Sequence, residues 1–320
     1  MNTTNRILSK GKIFDIDQIA CMQHAENIRK FVPDEKIEPW HSSSPAEQLL
    51  FKVAFISICH QFNWDFLQNR LYEKLLSSGD SLLATIRNIS PTLIKLWLND
   101  YPKKERIRAA ERAKLIKNVA TTIDINFDGD PNKFYLHLSS CTIGNKKFEE
   151  AMSAFEAYKR DPLKKKTNIL SHEIITENIF KIKDVQNLEP AIDYHIIRLY
   201  LRTGRVIAKD KELFKYFKGT PNPRGYLVSQ LRQAVGEALK STAHYANLNV
   251  AQVNFIEWQL GRSTCTNENP RCELPANASI SSSISNLFNG CCPYSECCLA
   301  FTTLKEFIEF EEPLFFSSHY

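Results

Sequence analysis

Six of the nine cysteines fall between residues 265 and 298. Cys265 and Cys272 are separated by six residues. After a serine-rich interval, Cys292 and Cys298 are separated by five, as are Cys291 and Cys297. Thiolates grouped this way, with proline and polar residues between them, hold a metal ion or an iron–sulfur cluster. Tetrahedral zinc more often uses short Cys-x2-Cys knuckles. The wider intervals here, with one side of the site formed by a long loop, favour [4Fe-4S], with zinc as the alternative.

The elements that must position these thiols read as helices almost throughout. Ser44-Pro45-Ala46-Glu47 has the form of a capping box with proline at the first helical position, and it predicts a helix start. The run from Leu49 to Ile58 is apolar nearly all round, as in the centre of a bundle. Helical spacing predicts further helices over Trp64–Leu76, Glu105–Ile123, Phe148–Lys159, Ile192–Leu201, Leu227–Ala246 and Val250–Leu260. Residues 177–189 are less regular. Lys133 to Leu138 is the best strand candidate. Ser279 to Ser285 is of low complexity.

The chain has 320 residues, 43% of them hydrophobic, and only ten glycines, which argues against glycine-rich phosphate loops. Its net charge of +5 is compatible with a nucleic-acid partner without requiring one. Lys52 interrupts the longest apolar run and the first residues have no apolar core, so neither a membrane span nor a signal peptide is expected. An intracellular location, cytoplasm or nucleoid or nucleus, follows. There, cysteines serve more often as ligands than as disulfides.

The segment Trp258-Gln-Leu-Gly-Arg-Ser-Thr-Cys265, with Pro270-Arg-Cys272, resembles the C-terminal cluster loop of the endonuclease III-like DNA glycosylases, members of the helix-hairpin-helix glycosylase superfamily. That resemblance gives the ligand roles to Cys265, Cys272, Cys292 and Cys298, with Cys291 and Cys297 as alternates. Asp193-Tyr-His195-Ile-Ile-Arg198, followed by Arg202-Thr203, is similar to the family's segment around its catalytic aspartate. The implied role of Asp193 has a chemical reason. Cleaving an N-glycosidic bond builds positive charge on the sugar, which a carboxylate stabilises, or the carboxylate activates water. A bare helix cap is the other reading of the same residue. Ser57-Ile-Cys-His-Gln61 resembles the end of the family's first core helix and implies a substrate contact for Gln61. His195 and Trp64 are further candidate substrate contacts.

The resemblance implies an all-α, two-lobed glycosylase-like fold with a C-terminal [4Fe-4S] loop. Residues 1–44 would pack on the C-terminal lobe, 45–190 would form a central helical bundle, and 191–320 would carry Asp193 and the cysteines, with an insertion at 273–291. The implied activity is monofunctional N-glycosylase hydrolysis of a modified base in nucleic acid or a nucleoside, as in base-excision DNA repair. The sequence departs from the family in one place. Residues 171–189, where the glycine-bearing DNA-gripping hairpin would stand, contain no glycine, and no lysine sits at the spacing used for a Schiff base. No lyase activity is therefore expected. Two rivals follow: a queuosine-salvage-like nucleoside hydrolase, suggested also by residues 25–36, Trp40 and Phe62-Asn63-Trp64, and a non-catalytic iron–sulfur nucleic-acid-binding module.

Overall fold

The structure, a computed structural model, describes residues 13–29, 44–76, 80–161, 163–210, 212–219, 225–267, 270–273 and 292–303. These are helical nearly throughout, with one two-stranded ribbon. Cys291, Trp40, residues 30–36 and Ser279 to Ser285 lie outside the described residues. No helix among the described residues is long and apolar enough to cross a membrane.

The chain divides into two compact units. Among the described residues, one comprises residues 44–188, and the other comprises residues 13–29 and 189–303. In the first, the helix Pro45–Ile58 begins where the sequence signals it. Ser44 accepts from the Glu47 backbone, Glu47 returns the bond, and Pro45 occupies the first turn. Every residue from Leu49 to Ile58 is buried, so the helix is surrounded by others, including Ala109–Asn126, Pro131–Ser140 and Lys165–Thr176. Each buried Leu, Ile or Phe contributes roughly 1.5–3 kcal/mol of transfer free energy. Lys52 is carried inside with them because Glu173 and Glu177 bind its ammonium. At the C-terminal end of this helix, Lys166 donates to the Ser57 carbonyl at 2.7 Å, and Arg112 donates to the carbonyls of Ile58 and His60. Cations therefore cover carbonyls that have no intrahelical partner.

Two expectations are corrected in this unit. Lys133 to Leu138 is the interior of the helix Pro131–Ser140, with Asp130 capping through Asn132 N and Pro131 in the first turn. Phe134 and Leu138, one helical turn apart, are its buried positions, while Leu136, which a strand would place on the same face, is exposed. Phe148 to Lys159 is two short helices, Lys147–Met152 and Glu156–Lys159, separated where Phe155 turns into the core.

In the other unit the helix Gln18–Ile28 packs on Gly225–Ala246, and Tyr194–Arg202 packs on Val250–Ser263. Strand β1 (Phe14–Ile16) pairs antiparallel with β2 (Val206–Ala208), which ties the N-terminal helix to the segment just after Arg202. The helix pair is close because residue 261 is glycine: a Cβ there would lie 2.9 Å from the His195 carbonyl oxygen. Gly204, at φ +74°, ends the Tyr194–Arg202 helix in a left-handed conformation, and Leu299 packs against the space its missing Cβ leaves.

Each unit encloses a neutral histidine. His24 donates from Nδ1 to the Ala20 carbonyl at 2.7 Å, while its buried Nε2 has no hydrogen-bond partner. Burial, then Arg205, pushes its pKa from 6.5 down to about 3. Burial, then Lys166 and Arg112, takes His60 to about 2. An unfolded chain binds these protons near pH 6.5 and the folded chain does not. The unfolded state therefore binds more protons below that pH, and stability falls as pH drops from about 6.5 towards those lower values. Urea midpoints measured stepwise downward from neutral pH are expected to decline across this window, with a shallower decline in His24→Phe. A His24→Phe profile identical to wild type would contradict the assignment for His24.

Candidate functional site

The site is built on the helix Tyr194–Arg202. Asp193 caps its N-terminus: Oδ1 accepts from the backbone N–H groups of His195 (2.9 Å) and Ile196 (3.1 Å). Oδ2 accepts from Nε1–H of Trp258, in the neighbouring helix, at 3.0 Å. The carboxylate is half-buried and Tyr194 beside it is exposed. The cap reading of Asp193 is thus realised, and the third donor goes beyond what a cap needs.

His195 turns its ring toward Tyr194, 4.1 Å between centroids, and its Nδ1 accepts from Arg198 Nη2 at 2.9 Å. Burial is the main cause that lowers its pKa to about 4, only partly offset by Asp193. The ring is therefore neutral at physiological pH, held by Arg198 of its own helix and by the Gly261 backbone of the neighbouring one. Gln61 and Trp64 belong to the unit of residues 44–188. Gln61 follows a buried His60 and sits at φ +56°, a conformation that is strained for a side-chain-bearing residue. Arg112 pins the turn from inside through the Ile58 and His60 carbonyls. Trp64 packs edge-on against Phe55 at 4.5 Å, at the margin of the core.

The other end of the Asp193 helix carries the thiols. Arg198 donates from Nε to the Cys265 carbonyl at 2.7 Å and from Nη2 to the Gly261 carbonyl at 2.8 Å. Arg202 donates to the carbonyls of Thr266 (2.6 Å) and Asn267 (2.8 Å), with Nη1 3.6 Å from Cys265 Sγ. The Cys272 carbonyl accepts from Cys292 N–H at 3.0 Å, so the two ends of the insertion are side by side. Tyr294, between Cys292 and Cys298, is buried and donates its hydroxyl to Glu257 at 2.7 Å, which anchors that loop in the core.

Cys265, Cys292 and Cys298 are buried and Cys272 is half-buried. Burial first, then the charges of neighbouring thiols, raises the pKa of three of them. Cys265 acts on Cys272, and Cys265, Cys272 and Cys298 act on Cys292. Cys265 and Cys272 act on Cys298, which burial takes to about 12. Charge on one of these thiols thus opposes ionisation of its neighbours. Cys297 stands apart. Its Sγ accepts from Asn27 Nδ2 at 3.4 Å. Among the described residues, no three His, Cys, Asp or Glu side chains form a group that would hold a single metal ion.

Sequence reasoning missed three participants. Trp258 entered only as the first residue of the segment leading to Cys265, not as a donor to Asp193. Tyr294 was visible only as a large aromatic inside the ligand loop. Glu257 was the one charged residue of the Val250–Leu260 run, and its partner Arg205 explains its burial. Comparison with protein-family models and with curated proteins finds no match to this chain.

Proposed function

We propose that this protein is a monofunctional N-glycosylase-like hydrolase of a glycosylase-like two-lobed helical fold, with Asp193 as its catalytic carboxylate and a structural [4Fe-4S] cluster on Cys265, Cys272, Cys292 and Cys298. One observation carries the reading. The nine-residue helix Tyr194–Arg202 bears the carboxylate at its N-terminus, while Arg198 and Arg202 grip the thiol loop further along the same helix. A rigid centre behind a helix fixes what the helix presents at its front.

The donor set supports the cluster. Cys265, Cys292 and Cys298 are buried and Cys272 half-buried, and the Arg202 guanidinium lies against the Cys265 sulfur, where it would offset negative charge on a thiolate. The cluster serves architecture, since four protein ligands leave no open position. In the reaction, Asp193 stabilises positive charge developing on the sugar while water attacks. Its Oδ1 is committed to the helix, so Oδ2 is the oxygen that meets that charge.

The substrate is a modified base in a nucleoside or in nucleic acid. The stretch 171–189 supports the smaller substrate. It is the end of the helix Lys165–Thr176, a left-handed turn at Asn178 and a single 3-10 turn at Val185–Asn187, with no glycine backbone to approach a phosphate. An intracellular setting, reducing enough to keep thiolates as ligands, belongs to the same proposal.

The test is base release from modified nucleosides and from DNA and RNA carrying modified bases. Asp193→Asn preserves an N-cap and removes the charge, and it is expected to lower the rate by about 10²–10⁴-fold. Full base release by Asp193→Asn would sink the assignment. Salt-sensitive nucleic-acid binding with no base release from any of these substrates would mark the protein as a binding module instead.

A further inference from the structure

A helix cap needs one carboxylate oxygen. In Asp193 that is Oδ1, which takes both backbone N–H bonds. Oδ2 is surplus to the cap, yet the indole N–H of Trp258 holds it at 3.0 Å from a position 65 residues further along the chain. Trp258 is itself fixed. The Arg262 guanidinium, one turn on, lies over its ring at 4.5 Å, and Gly261 brings that helix backbone against His195.

We propose that Trp258 is a positioning residue for Asp193, its N–H setting the plane of the carboxylate and so the direction in which Oδ2 faces. The inference rests on Asp193 being the carboxylate of the proposed hydrolysis. An N–H bond withdraws some negative charge from Oδ2, so the gain lies in direction rather than in charge. A carboxylate held by one oxygen only would rotate about its Cβ–Cγ bond, and the reacting atom would spend part of its time misaligned. Bonds to an ionised oxygen are strong enough to prevent this. The cation over the indole ring restrains the ring in turn.

Trp258→Phe keeps an aromatic ring beneath Arg262 and removes only the N–H. With the modified nucleoside, DNA or RNA that the wild-type protein cleaves, kcat is expected to fall about tenfold to a hundredfold while KM stays within about twofold. Trp258→His, which restores a ring N–H, is expected to recover part of the loss. A Trp258→Phe enzyme with wild-type kcat, or one in which only KM changes, would overturn the proposal. A second readout needs no activity. The chain has four tryptophans, and in isotopically labelled protein Trp258→Phe identifies the Trp258 indole proton resonance. Asp193→Asn is expected to move that resonance upfield and hasten its exchange with solvent, leaving the other three in place. An unmoved resonance overturns the pairing. If the wild-type protein releases no base from any of these substrates, the hydrolase reading falls, and the indole resonance alone decides whether Trp258 holds Asp193.

Discussion

On the proposed [4Fe-4S] assignment, protein carrying Cys298→Ala is expected to lack the iron and labile sulfide of the wild type, whereas Cys297→Ala keeps both. The two residues are adjacent and chemically identical, and only their surroundings separate them. Cys298 is buried, its Sγ is 3.5 Å from the Arg202 carbonyl oxygen, and Cys265 and Cys272 lie close enough to oppose its ionisation. Cys297 is half-buried and turned to Asn27 on the N-terminal helix. Removing a ligand leaves three thiolates crowded in a partly buried space with their charge uncompensated. The cost falls on the fold as well, since Cys265, Cys292 and Cys298 belong to the hydrophobic core of this unit. Iron and acid-labile sulfide per chain, with the visible absorption of the purified protein, check the prediction. Loss of iron in Cys297→Ala, or a colourless wild-type protein rich in zinc, would refute the ligand assignment.

The second large effect is expected at the base of the same loop. Glu257→Ala should destabilise the unit of residues 13–29 and 189–303 by about 3–5 kcal/mol, the usual cost of orphaning a buried charge. Arg205 and Glu257 are both fully buried and ion-paired. The Arg205 guanidinium lies 3.7 Å from the Tyr200 ring and 5.2 Å from that of Tyr294, and it donates to the hydroxyls of Thr203 and Thr242. Burial opposes its charge, but Glu257, with the two tyrosines, holds it protonated and above the ordinary arginine range. Without Glu257, that charge has no anion, and the Tyr294 hydroxyl loses its acceptor. Because Tyr294 lies between Cys292 and Cys298, the variant is also expected to retain less iron. Urea midpoints at unchanged slope measure the loss. A combined Arg205→Met, Glu257→Leu protein should regain most of it, because the pair's value lies in not being broken. A Glu257→Ala midpoint equal to wild type would show that the pair is not the anchor.

What could be read from the sequence divides along the range of the forces involved. The capping box at Ser44–Glu47 is a four-residue device whose partners are all local, and it forms as read. The Val250 helix runs to Ser263, a few residues past the expected Leu260, and there Ser263 donates its hydroxyl to the Gln259 carbonyl. The strand expected at Lys133 failed over a window of six residues, too short for the two periods to separate. Phe134 and Leu138 would share a face in either element, and the exposed Leu136 between them settles it.

For the site, the sequence by itself determined which residue types were available: clustered thiols, an aspartate before a helix, and a glycine and an arginine just ahead of Cys265. Their roles depended on partners brought close only by the fold. Choosing Cys298 over Cys297 depends on which side chain the final turn directs inward. Asp193 is more than a cap because Trp258, 65 residues away, reaches its second oxygen. Burying Glu257 is tolerable because Arg205, 52 residues away, is buried with it. A chain records local hydrogen bonds in its spacing. Long-range pairs leave no such periodic trace, since their partners meet only when helices pack, and the tertiary structure alone decided them.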